Sequence, residues 1–180
     1  MPSAELRDAR APLAPGPIAG ILVALGLVGA VVAALVTGAA DPLFISDPGP
    51  LVRWGLPVLG VVAQLASALT LGLLGMAAFL VPETTRTNRR VEATRLAAVA
   101  ALVWATTALV VAFFTFADLA GLTLSDPALL SQFGSYALEL ETTRILLISA
   151  TLALVVGVAA LFVRERTLMA WLALLTIVGI

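Results

Sequence analysis

One strongly polar side chain lies in the middle of a long apolar run. Gln64 sits within Gly55–Val81, where Gly60, Gln64, Ala68 and Gly72 recur every four residues and share one helical face. Ser67 and Thr70 lie close to that stripe. In hydrocarbon, an amide and two hydroxyls can line a polar pathway. The plainer role is adhesion between helices, with small residues allowing close approach and Gln bonding across the gap. A second group is charged. Asp118 follows directly on an apolar run, where it opposes the helix macrodipole and calls for a cation. Arg53 and Arg144 are the Arg residues expected on that side, so an Asp118–Arg pair is expected, with a hydrated carboxylate as the alternative. Glu139 and Glu141 precede a further run, where carboxylates suit a helix start; their oxygens could otherwise hold a hard cation such as Mg²⁺, Ca²⁺ or Mn²⁺. A third group is thioether sulfur: Met76 and Met169 are expected towards the same side, and such ligands suit reduced copper, although packing is their commoner use.

Composition removes most other chemistry. Of 180 residues, 61% are hydrophobic and 12% charged, with a mean hydropathy of +1.11. Soluble domains run near ~45–50% apolar and ~25% charged, so the chain reads as a membrane protein with the lipid bilayer as its first partner. There is no Cys and no His, hence no disulfide, no thiolate metal site, and no His base or axial ligand. Phosphate-binding glycine loops, zinc signatures and catalytic triads are all missing from the sequence, so neither enzyme activity nor a resident cofactor is expected. A net charge of −1 excludes a strongly basic nucleic-acid binder. All ten basic residues are Arg, which with the abundance of Ala, Val, Leu and Gly suggests a GC-rich bacterial genome.

The elements that must position these residues are transmembrane helices. A span needs about 20 apolar residues. Residues 1–16 read as a cytoplasmic tail and 17–180 as one transmembrane domain, all-α and polytopic, with helices over about 17–40, 55–81, 96–117 and 145–163 and a partial fifth over 168–180. The last run stops in mid-membrane, as though the chain were the front part of something longer. Pro57 is placed in the first turn of the second helix, and Pro82 at its end. Ser125-Asp126-Pro127 reads as a cap and first turn of a short helix, Pro127–Phe133, ended by Gly134 and lying along the membrane surface. Small ridges run along Gly26, Ala30, Ala34 and Gly38, and along Ser149, Ala153 and Gly157. Trp54 and Trp171 fall near expected interfaces, and Trp104 deeper. Eight Arg residues fall on the side of the amino terminus (Arg7, Arg10, Arg86, Arg89, Arg90, Arg95, Arg164, Arg166) and two on the other, which places the amino terminus in the cytoplasm. The first run is longer than a signal-peptide core, so retention is expected over cleavage after Gly38-Ala39-Ala40.

The stretch Gly49-Pro50-Leu51-Val52-Arg53-Trp54-Gly55-Leu56-Pro57 resembles actinobacterial membrane proteins of the copper resistance D family, in which the domain is often fused to a cytochrome c oxidase assembly domain. Ala66–Gly72, Ala101–Ala105, Phe114-Thr115-Phe116-Ala117-Asp118 and Glu141-Thr142-Thr143-Arg144 fit as well, so the resemblance spans residues 49–180. It implies a plasma-membrane protein that imports copper or delivers it for oxidase maturation, with copper as a transported ion and oxidase assembly components as partners. Arg53, Trp54, Asp118 and Arg144 are the shared positions; the His ligands expected of later helices have no counterpart here. Two other readings stand beside it. One is a non-transporting scaffold subunit that binds another membrane protein through small-residue faces. The other is a small-solute transporter resting on Gln64, Ser67 and Thr70. The oligomeric state is left open.

Overall fold

The computed structural model describes residues 15–38, 47–80, 87–162 and 165–180. The described residues are mainly helical and include no strands: α1 (Pro15–Thr37), α2 (Pro50–Gly75) continued by a π-helical turn (Met76–Leu80), α3 (Thr87–Ala120), α4 (Pro127–Tyr136), α5 (Glu141–Phe162) and α6 (Arg166–Gly179). Three stretches are long and apolar enough to cross a membrane: Pro50–Phe79, Val91–Ala120 and Glu141–Phe162. Pro82 and most of the amino-terminal tail, including Arg7 and Arg10, lie outside the described residues.

Several helices start earlier than an apolar count predicts. α2 begins at Pro50, so Arg53 and Trp54 belong to its first turn and Pro57 to its interior. α3 begins at Thr87, which takes Glu92 and Arg95 into the helix. The reason is general: Arg, Glu and Ala are good helix formers, and the backbone ladder does not stop where the hydrocarbon stops. The ends are set by local chemistry. Gly49 adopts φ 96, a conformation open to glycine, and its amide donates to Asp47 Oδ1 at 2.9 Å. Gly38, placed inside a helical ridge by spacing, has φ 69 and ends α1 instead. At the end of α3, Gly121 (φ 63) donates to the Asp118 carbonyl and Leu122 to that of Ala117, the paired bonds of a Schellman cap. Asp118 is therefore inside the last turn of α3 and not beyond it.

α2, α3, α5 and α6 form a closed ring in which each packs on the next, and α1 packs on the outside of α2. The ring is filled by small side chains. Ala97, Ala98 and Ala101 of α3 meet Val156 and Ala160 of α5, with Leu74 of α2 and Ala173 of α6 completing the cluster. One level away, Trp104, Ala105 and Ala108 meet Ala66, Ala150 and Ala153. Alanine contributes little apolar area, so the benefit is close approach: van der Waals packing holds helices together in lipid, where the hydrophobic effect does not. Gly157 belongs to this seam, since a Cβ there would lie 3.3 Å from Ala101 Cβ. The ridge read from Ser149, Ala153 and Gly157 is thus the packing face of α5. α6 ends against the middle of α3, where the Gly179 carbonyl accepts the Ser149 hydroxyl at 2.6 Å beside Trp104.

Candidate functional site

The polar residues singled out from sequence do not form one patch. Gln64 is exposed on the outer surface of α2, with Ala68 and Gly72, and a Cβ at Gly60 or Gly72 would touch nothing within 4 Å. Ser67 and Thr70 lie to one side of that face and are buried. Their hydroxyls donate to carbonyls of their own helix, Ser67 to Gln64 at 2.9 Å and Thr70 to Ala66 at 2.7 Å. The separation is geometric, because at ~100° per residue Thr70 lies a third of a turn around the helix from Gln64. The stripe expected to fasten α2 to a neighbouring helix of this chain is corrected accordingly: α2 turns Ala66 and Leu74 to the ring, and the Gln64 face outwards.

The expected Asp118–Arg pair is also corrected. Among the described residues the one ion pair joins Arg53 Nε to Asp47 Oδ1 at 3.3 Å. The two lie either side of the Pro48-Gly49-Pro50 turn, which folds the Asp47 side chain back over the first turn of α2. Asp118 is half-exposed at the tip of α3, and Arg144 is exposed in the first turn of α5. Met76 and Met169 do not present their sulfurs to one open surface. Met76 is 40% exposed on the π-helical turn; Met169 is 2% exposed, packed on Ala77, Ala78 and Ala93, with the Thr94 hydroxyl 4.0 Å from its sulfur. Among the described residues no three carboxylates gather as a metal site.

What the fold does bring together is the end of the bundle where α2 and α5 begin and α3 ends. Val52 of α2, Phe116 and Ala117 of α3, Leu129 of α4 and Ala137 form one buried cluster, flanked by Leu140 and Leu147 at the start of α5. Gly55 lets the Phe114 ring rest on the backbone of α2, since a Cβ there would be 2.6 Å from Phe114 Cε2. Phe133 of α4 stands edge-on to Phe113 and Phe116 at 5.2 and 5.3 Å. Thr143 is wholly buried at this end, and its hydroxyl has no hydrogen-bond partner. α4 closes the cluster from outside. Its first turn is capped by Asp126 Oδ1, which accepts the Ala128 amide at 2.8 Å, and it runs through Gly134 to Tyr136 rather than stopping at Phe133. Gly134 is tolerated because one glycine costs only about 1 kcal/mol within a helix.

Two features went unseen from sequence. The π-helical turn Met76–Leu80 has no residue signature, and the apolar pattern reads straight through it. The Schellman cap did carry a signal, a Gly at 121 followed by Leu122, but an apolar count ending at Ala117 passes it by. Comparison with protein-family models, curated proteins and solved structures finds no match to this chain.

Proposed function

We propose that this chain is the membrane-embedded helical unit of a copper-handling protein of the copper resistance D type, which moves copper across the plasma membrane or delivers it for cytochrome c oxidase assembly. The supporting observation is spatial. Of the five segments that carry the resemblance, Gly49–Pro57 and Phe114–Asp118 pack together at one end of the bundle, where Glu141–Arg144 also begins α5 between the clustered Leu140 and Leu147. In this reading α1, at 23 residues, is a fourth span, and the eight-to-two division of Arg holds the amino terminus in the cytoplasm and the converging end outside. Copper is cargo here and not a resident cofactor. The test is cellular copper and assembled oxidase in cells with the gene deleted and restored. A fall in either on deletion, reversed by the restored gene, supports the reading; no change in both, with the protein present in the wild-type membrane, refutes it.

A scaffold role is favoured by one separate observation. Gln64 lies fourteen residues from Pro50, about 21 Å along the helix and so near the bilayer mid-plane, and it faces outwards. A lipid-facing amide is costly there, and a partner helix would satisfy it. Gln64→Leu then releases a co-purifying membrane protein while leaving cellular copper unaffected.

A further inference from the structure

A groove of about 310 Å³ lies beside the tip of α3, between that helix and α4. It is lined by the apolar side chains of Phe116, Leu119, Ala120 and Leu140 and by three polar residues, Gln132, Tyr136 and Glu139. The Tyr136 carbonyl accepts both the Glu139 amide at 3.0 Å and the Leu140 amide at 3.3 Å. The electrostatics of the groove have one sign. The Schellman cap occupies the carbonyls of Ala117 and Asp118, but among the described residues no backbone donor reaches those of Leu119 and Ala120. The negative pole of a 34-residue helix therefore lies at the groove, which the Glu139 carboxylate also lines. The exposed ring of Tyr136 borders the same space, and ring faces also attract cations. The groove lies where one candidate span ends, at Ala120, and another begins, at Glu141, so it opens at the level of lipid head groups. Arg144 does not line the groove; it is exposed in the first turn of α5, one helical turn beyond Leu140, whose carbonyl accepts its amide at 2.9 Å.

We propose that this groove binds the ammonium head of a zwitterionic phospholipid, with Glu139 and the α3 carboxyl end receiving the ammonium and Arg144 facing the phosphate. The negative groove suits the ammonium of such a head group, Arg144 outside it suits the phosphate, and an anionic lipid would bring no cation to Glu139.

The probe is phosphatidylethanolamine in competition with phosphatidylglycerol of the same chains. Each is offered in equal amount to the purified full chain in mixed micelles, and retained lipid is read by native mass spectrometry. Phosphatidylethanolamine is expected to be retained in preference. Glu139→Gln lowers that retention roughly three-fold, the size of one partly exposed charge interaction. Tyr136→Leu lowers it independently by removing a ring face. Glu141→Gln, exposed at the same end but outside the groove, leaves it unchanged. Equal retention of the two lipids overturns the proposal, as does retention indifferent to Glu139 and Tyr136. An equal fall with Glu141→Gln would show a general acidic surface and not a site. Complete displacement by free ethanolamine would assign the groove to a soluble ammonium compound and overturn the lipid assignment.

Discussion

The contact between Gly55 and Phe114 makes a sharp quantitative demand on the helix pair at the converging end of the bundle. An alanine Cβ at position 55 would stand 2.6 Å from Phe114 Cε2 and 3.0 Å from Cδ2, closer than carbon atoms tolerate. At Gly60, five residues on in the same helix, an added Cβ meets nothing within 4 Å. Gly→Ala inside a helix gains about 0.5–1 kcal/mol from backbone entropy. Gly60→Ala is therefore expected to stabilise by that amount. Gly55→Ala gains the same and loses about 1–3 kcal/mol to overpacking, because the ring must leave its rotamer and push on its neighbours. The two variants should differ by the overpacking cost alone. In a Phe114→Ala background the obstruction is gone, and Gly55→Ala should stabilise as Gly60→Ala does. The assay is reversible denaturant unfolding of the purified protein in micelles, followed by far-UV circular dichroism, as a double-mutant cycle. A coupling energy under about 0.5 kcal/mol between positions 55 and 114 would refute the packing described.

Three further outcomes are expected. Asp126→Ala removes the acceptor of the Ala128 amide and should weaken α4 by about 1 kcal/mol, seen as faster hydrogen exchange at that amide, while Asp126→Asn keeps most of the protection. Ala153→Leu forces a larger side chain into a wholly buried position of the α3–α5 seam and should cost about 1–3 kcal/mol in the same unfolding assay. Asp47→Asn loses the partly exposed pair with Arg53 but keeps an acceptor for the Gly49 amide, so it should cost under about 1 kcal/mol, and Asp47→Ala more.

The helices themselves were legible, because about twenty apolar residues between charged segments leave few other options. Their ends were not, and the error has one direction at the starts: Pro50, Thr87 and Glu141 all begin helices several residues before the apolar run does. Hydropathy measures the solvent around a residue, while the helix continues as long as the backbone ladder does. The α5 ridge was legible as a packing face since three small residues at helical spacing allow close approach. The same pattern at Gly60, Gln64, Ala68 and Gly72 led to a wrong neighbour, because spacing identifies a face without saying what lies opposite. Asp118 shows a related limit. Its charge called for a partner, but Asp47 is tied to Arg53 by a local turn, and local chain connectivity outweighed the long-range choice. The groove beside α3 had no sequence signature, being built from the meeting of a helix end with a later turn.

The crossing of a bilayer by the three long helices underlies every role given to this chain, and the lack of cysteine makes it directly measurable. Leu138 lies exposed in the turn before α5, and Glu165 lies exposed in the turn after it. Single-cysteine variants Leu138→Cys and Glu165→Cys are to be treated, in intact cells and after permeabilisation, with a membrane-impermeant maleimide. Labelling of position 138 in intact cells, with position 165 labelled only after permeabilisation, is the expected result, and it also fixes the converging end of the bundle outside. Labelling of both positions in intact cells, or of both only after permeabilisation, would contradict a membrane crossing by α5.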